Sequence, residues 1–287
     1  MKKIILLVVL AFVLTACEKP LISNENVGNV RLMFAPSVQD VHTRGTVTIG
    51  DFFSKLNIQL FDESGEKVFD KVCTQLRTDE DFGTLSCNLK PGTYWVVAVG
   101  HSSTVSATIK STQMVQFTAS DGEKLTDTFC HCGQVTIGND PSEYTLLMNR
   151  VCAMFRLVMT DTDVPSNVAY IRMEYTGGSA NFNPITFEGT TKSSQSEQRV
   201  VSASKQYVAF TFPYMSSSCA INMKISALSS DNTVIHSRTL PDVPMTRNRI
   251  TTYTGQYFVG DGQWNVTQTG FGFTINSDWD GEDEYQF

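Results

Sequence analysis

Cys130-His131-Cys132 is the densest run of metal-ligand chemistry in the sequence. In an extended segment the two thiols share one face and His131 takes the other, so the three cannot easily converge on one ion. A structural zinc site wants four ligands, usually as two separated pairs, and no second Cys/His pair stands nearby. No metal and no other cofactor is expected, and these thiols read as buried groups or disulfide partners. Cys73 and Cys87 are the better pair. They flank Arg77–Gly83 symmetrically, so a hairpin would set them opposite each other as a candidate disulfide, with two reduced, small apolar residues as the alternative. Cys152 and Cys219 read as packing groups.

Nucleophilic catalysis finds little support. The four histidines, His42, His101, His131 and His236, are the only candidate imidazole bases, and none lies in a nucleophile setting such as G-x-S-x-G. Gly100-His101-Ser102-Ser103 reads as the end of a strand. Gly270-Phe271-Gly272 lacks the third glycine and the helix of a dinucleotide fingerprint. Asp278-Trp279-Asp280-Gly281-Glu282 supplies oxygens for calcium but fails the spacing of the helix-loop-helix site. Trp264 and Trp279, in turn-rich segments, are candidates for stacking on sugar rings, whereas Trp95 sits in an apolar run and reads as core. The expectation is a protein that is not an enzyme.

The remaining reactive group is Cys17. Met1-Lys2-Lys3 precedes an apolar run from Ile4 to Leu14, then Thr15-Ala16-Cys17, the layout of a secretory signal peptide. The run is shorter than the roughly 20 residues a membrane-spanning helix needs. Leu14-Thr15-Ala16-Cys17 resembles a bacterial lipobox, in which the thiol is acylated (palmitate-type chains) and becomes the first mature residue. Each buried CH₂ contributes about 0.8 kcal/mol, so several chains anchor a protein stably. The expected product is a lipoprotein held to the membrane without crossing it.

The net charge is −7, and loss of Lys2 and Lys3 with the leader makes it more acidic still. An acidic chain argues against a nucleic-acid partner, which needs a basic face.

The elements that must position these groups are strands. Short alternating runs rich in Val, Ile, Thr, Phe and Tyr, punctuated by Gly, Asn, Asp and Pro, recur along the chain. The first half gives Val30–Ala35, Lys55–Asp62, Lys67–Leu76, Gly83–Leu89, Gly92–His101, Met114–Thr118 and Gln134–Ile137. Asn57 and Gln59 alternate with Ile58 and Leu60, which predicts one polar and one apolar face. Asp62-Glu63-Ser64-Gly65 and Lys90-Pro91-Gly92 read as turns. The second half gives Cys152–Thr160, Val168–Tyr175, Tyr207–Phe212, Ile221–Leu228, Val234–Leu240, Thr251–Val259 and Gly270–Asn276, with Ser193–Glu197 a surface loop and Asp278–Glu284 a solvated tail. A short helix is expected only around Gly50–Phe53 or in Ser120–Thr126. About seven strands per half suits two β-sandwiches. The organisation is therefore 1–16 signal peptide, 17–28 polar tether, 29–145 first sandwich and 146–287 second sandwich.

The ordered set VRLMFAP, KLNIQLFDESGEKV, LKPGTYWVVAVG, MNRVCAMFRLVMTD, TRNRITTYTGQYF and FTINSDWDG, following the lipobox, resembles the fimbrillin superfamily of Bacteroidetes. It resembles especially the fimbrial-anchor branch, the FimB-type lipoproteins. The likeness spans nearly the whole mature chain in order and spacing. It implies an all-β chain of two tandem transthyretin-like (Greek-key) sandwiches, an outer-membrane, surface-exposed address, and a fimbrial or adhesive role. The partners it implies are other fimbrial subunits and a host or bacterial surface receptor. Pilins of the family are cleaved after a basic residue, and Arg44 in His42-Thr43-Arg44-Gly45 occupies a comparable place. Cleavage there would release Val30–Ala35 and open an edge for a neighbour's strand, while an anchor subunit would keep its lipid and stay uncut. The alternative expectation is a glycan-binding surface lipoprotein of a carbohydrate-uptake system, using Trp264 and Trp279.

Overall fold

The computed structural model describes residues 29–37, 48–118, 125–258 and 281–286. The first nine strands are β1 (Val30–Pro36), β2 (Lys55–Phe61), β3 (Cys73–Leu76), β4 (Thr84–Cys87), β5 (Gly92–His101), β6 (Thr108–Ser111), β7 (Met114–Gln116), β8 (Phe129–Ile137) and β9 (Ser142–Arg150). Then follow β10 (Ala153–Met159), β11 (Tyr170–Thr176), β12 (Asn181–Phe182), β13 (Gln195–Val200), β14 (Gln206–Thr211), β15 (Ser218–Leu228), β16 (Val234–Thr246), β17 (Arg249–Gly255) and β18 (Gly281–Gln286). The fold is all-β. Among the described residues the helical content is one 3-10 turn, Ile49–Asp51, whose Asp51 carboxylate accepts the Thr48 N–H at 2.8 Å.

Seven strands run in the order β3-β2-β5-β8-β9-β1-β4. β8 and β9 pair only at Phe129–Arg150 and Cys130–Asn149, so this sheet folds at that corner into two layers, β3-β2-β5-β8 and β9-β1-β4. Val30, Leu32 and Phe34 of β1, Leu85 and Cys87 of β4 and Leu146 and Met148 of β9 meet Leu56, Ile58, Leu60, Val96 and Ala98 in one core. Beyond the corner, side chains bridge the parting strands. The Tyr144 hydroxyl donates to Thr136 O at 2.5 Å, and His131 Nδ1 meets Leu147 O at 3.0 Å.

The layer containing β2 and β5 is covered on both faces. Val97 and Val99 of β5 point into a second core, with Ile109 of β6, Val115 of β7, Phe182 of β12 and Phe210, Phe212 and Ile250 from the second half. The expected polar face of β2 is therefore buried: Asn57 and Gln59 are both 0 % exposed. Their amides are satisfied inside, Asn57 by Thr74 Oγ1 at 2.8 Å and Gln59 by Phe69 O at 2.9 Å. The same glutamine explains why the expected strand Lys67–Leu76 shortens to Cys73–Leu76. Its side chain accepts from the N–H of Phe69 and donates to its carbonyl, replacing a ladder there.

The second sandwich packs β14-β10-β17-β18 on β13-β11-β15-β16 around Phe155, Leu157, Met173, Ile225 and Tyr257. Two segments differ from expectation. Ser193–Glu197 lies partly in strand β13, because Gln195 and Glu197 turn inward (5 % and 1 % exposed) and Glu197 meets Arg199 at 3.1 Å. The acidic segment Asp278–Glu284 is not a free tail throughout, since β18 lies parallel to β17 from Arg249–Gly281 to Thr254–Gln286.

The halves are fused. β12 pairs with β7 across the chain's midpoint, and β9 continues past residue 145 to Arg150, so the hand-over falls at Val151-Cys152. There Arg150 grips Asp127 with two nitrogens, at 2.7 and 2.8 Å, and reaches Asn248 at 3.2 Å. Its guanidinium also lies 4.6 Å over the Phe129 ring.

Candidate functional site: the seat of the first strand

β1 is the middle strand of its layer. It pairs in parallel with β9 along all seven residues, Val30–Ser142 to Pro36–Met148, and antiparallel with β4 from Val30–Cys87 to Met33–Thr84. Alternation does the rest: Val30 and Leu32 are 0 % and Phe34 6 % exposed, and each such side chain contributes about 1.5–3 kcal/mol by burial. Arg31 points outward to Glu143 at 3.2 Å, an exposed ion pair of small worth. Asn29 fastens the strand's entry. Its Nδ2 donates to Leu89 O at 2.6 Å and its Oδ1 accepts the Leu89 N–H at 2.8 Å. The far end is held by Ser37 N–H donating to Met148 O at 2.8 Å.

Among the described residues β4 has no ladder partner other than β1. A side-chain link reaches it from Gln75 on β3, whose Nε2 donates to Thr84 O at 2.7 Å and whose Oε1 accepts the Gly83 N–H at 3.0 Å. Gly83 has φ +87°, and a Cβ there would come within 2.7 Å of Ile49 Cδ1. Glycine is what lets the chain turn into β4 under the 3-10 turn.

Several of the groups that could do chemistry are held inside the fold. His101 is fully buried. Its Nδ1 accepts the Ser103 N–H at 3.2 Å, so Nε2 carries the proton and donates to Asn57 Oδ1 at 2.8 Å. Burial, then the nearby Lys55 charge, pushes its pKa down to about 3, which keeps it neutral. Cys130 packs in the second core while His131 turns to β9, the divergence that an extended run predicts. Cys130, Cys132 and Cys152 all have thiols raised by burial. Cys152 Sγ accepts the Thr128 N–H at 3.3 Å. Among the described residues no three His, Cys, Asp or Glu side chains group as metal ligands.

Cys73 and Cys87 both face the first core, with no disulfide drawn between them. Trp95 is half-buried against the second core. Cys17, Arg44, Trp264, Trp279 and the expected strand Gly270–Asn276 lie outside the described residues. Sequence reasoning missed Asn29, Gln75 and the Asp127–Arg150–Asn248 junction. Amide side chains leave no periodic signal, and Asp127 and Arg150 stand too far apart in sequence to suggest a pair.

No protein of the curated set matches the sequence. Among solved structures, a Bacteroides ovatus protein described as a candidate adhesin is 15% identical with TM-score 0.48, covering 79% of this chain and 87% of that one. The fimbrial anchor protein Mfa2 of Porphyromonas gingivalis is 14% identical with TM-score 0.42, covering 74% and 82%. A fimbrial assembly protein of Parabacteroides distasonis is 11% identical with TM-score 0.42, covering 79% and 89%. A sequence-family model matches residues 23–287, nearly the whole chain. The protein belongs to that family, the family of unknown function DUF6562.

Proposed function

We propose that this chain is a non-enzymatic component of a surface fibre or adhesive assembly, tethered to the outer membrane by acyl groups on Cys17 and joined to other subunits through β-strand edges. The observation that carries the reading is the seat of β1. A short strand near the start of the chain fills the centre of a three-stranded layer, plugs the first core with Val30, Leu32 and Phe34, and holds β4 in place. Withdrawing it would expose two unpaired strand edges and an apolar slot, the chemistry that strand addition by a neighbour satisfies. Arg44 lies between β1 and β2, so a cut there would separate β1 from the rest of the chain. The fibre class comes from the resemblance of the sequence motifs.

The test compares the mature chain with one beginning at Gly45, by sedimentation velocity over a range of concentrations. The reading expects the shortened chain to form higher oligomers while the mature chain stays monomeric. A shortened chain that is folded and strictly monomeric would count against it.

A further inference from the structure

β4 is the weak wall of the β1 seat. Among the described residues its only ladder is with β1, so loss of β1 leaves it attached to the first sandwich by the Gln75 side chain, by the loop from β3 and by the short connection 88–91 into β5. That loop is well closed: Asp79 N–H donates to Leu76 O at 2.8 Å and Thr84 N–H to Asp81 O at 2.8 Å, while the Asp79 carboxylate accepts the Leu76 N–H at 3.1 Å. It presents β3 and β4 as two arms running in opposite directions, with Gln75 bonded across to Gly83 and Thr84. Moving further from the loop along both arms, the next inward-facing residues on β3 and beyond Leu85 on β4 are Cys73 and Cys87. Each is 6 % exposed and each belongs to the first core.

We propose that Cys73 and Cys87 are joined by a disulfide in the exported protein, and that this bond fastens β4 to β3 so that the wall of the β1 seat persists when β1 is absent. The inference rests on the exported, strand-exchanging reading above. The two thiols lose two protons and two electrons to the disulfide of a thiol–disulfide oxidoreductase, which leaves as its dithiol. The other described cysteines offer no better partner. Cys130 and Cys132 lie two apart on one strand, Cys152 is held by Thr128 and Asp127, and Cys219 belongs to the second half. The two thiols also sense each other: burial first, then the neighbouring Cys73, raises Cys87 to about 11. With so little thiolate, exchange with other thiols is slow once the fold has closed.

The experiment uses the full mature chain recovered from cell envelopes, alkylated with iodoacetamide in denaturant without reduction and digested with trypsin. Because trypsin cuts at Arg77, the Cys73 and Cys87 peptides part unless they are bonded. The linked pair is expected, with Cys130, Cys132, Cys152 and Cys219 alkylated. Alkyl label on both Cys73 and Cys87, or linkage of either to another cysteine, overturns the proposal.

A second measurement reads the consequence. After cleavage at Arg44 and removal of β1, the amides of Thr84–Cys87 should keep most of their hydrogen-exchange protection. They should lose at least tenfold of it on reduction with a phosphine, or in Cys73→Ser. Equal exchange before and after reduction overturns the fastening role. Peptide mapping is done on uncut protein, so a monomeric shortened chain would sink the strand-exchange reading while leaving the mapped bond intact.

Discussion

Asn29 and Leu89 exchange two hydrogen bonds, side-chain amide to backbone, at 2.6 and 2.8 Å. The pair ties the entry of β1 to the chain just beyond β4, closing one end of the seat with a side chain where the ladder stops.

Replacing Asn29 with Ala should therefore loosen β1 without unfolding the sandwich. Leaving the Leu89 N–H and C=O unpaired costs on the order of 1–3 kcal/mol. Exchange of the Val30–Pro36 amides should accelerate correspondingly, while the second sandwich keeps its protection. Asn29→Asp should recover only part of the loss, because a carboxylate can accept from the Leu89 N–H but cannot donate to its carbonyl.

Leu32 is the centre of the plug, so Leu32→Ala should cost about 2–5 kcal/mol in chemical denaturation. Met33, which faces the other way and is half-buried, should cost far less when truncated. Equal losses would mean that β1 does not alternate between core and exterior as described.

The junction of the halves makes a third prediction. Arg150 is almost fully buried while Asp127 keeps a quarter of its side chain exposed (4 % and 26 %). Arg150→Ala should then fall toward the low end of the roughly 3–5 kcal/mol that breaking a buried ion pair costs. A double-mutant cycle with Asp127→Ala should show strong coupling. If the halves are one fused body, both should still melt together.

Acid should weaken the fold through His101. Its folded pKa of about 3 lies below the ordinary histidine value near 6.5, so the unfolded chain binds the extra proton between those limits. Stability is complete above about pH 6.5 and falls as pH drops toward 3, with a slope of up to about 1.4 kcal/mol per pH unit from this residue. His131, also lowered by burial, adds in the same direction. His101→Asn should flatten the pH dependence of the denaturation midpoint in that window, and an unchanged slope would refute the assignment.

How much of this could be read from sequence varies from strand to strand. β1, β2 and β5 stood out as apolar runs, with Ile58 and Leu60 of β2 alternating against Asn57 and Gln59, and Gly65 (φ +85°) closes the turn that Asp62 nucleates. The polar half of β2 misled, since alternation cannot say that a second layer covers Asn57 and Gln59. β13 was hidden for the opposite reason: its inward residues are Gln195 and Glu197, which carry no apolar signal. β9 (Ser142–Arg150) was absent from the expected strands, since Ser142, Glu143 and Thr145 in its first half carry no apolar signal. The seat itself was half legible. Its plug lies in the sequence pattern, but its fasteners, Asn29 and Gln75, are single amides whose partners only the fold brings near.

β9 and β4 flank a slot that one strand fills. This is tested most directly by adding a fluorescent peptide of the β1 sequence, Val30–Pro36, to the chain beginning at Gly45 and following anisotropy together with hydrogen exchange. Saturable uptake that restores protection to Thr84–Cys87 and to residues 142–148 is expected, as is its loss when the peptide carries Leu32→Asp. Uptake that is indifferent to that change, or protection appearing elsewhere, would contradict it.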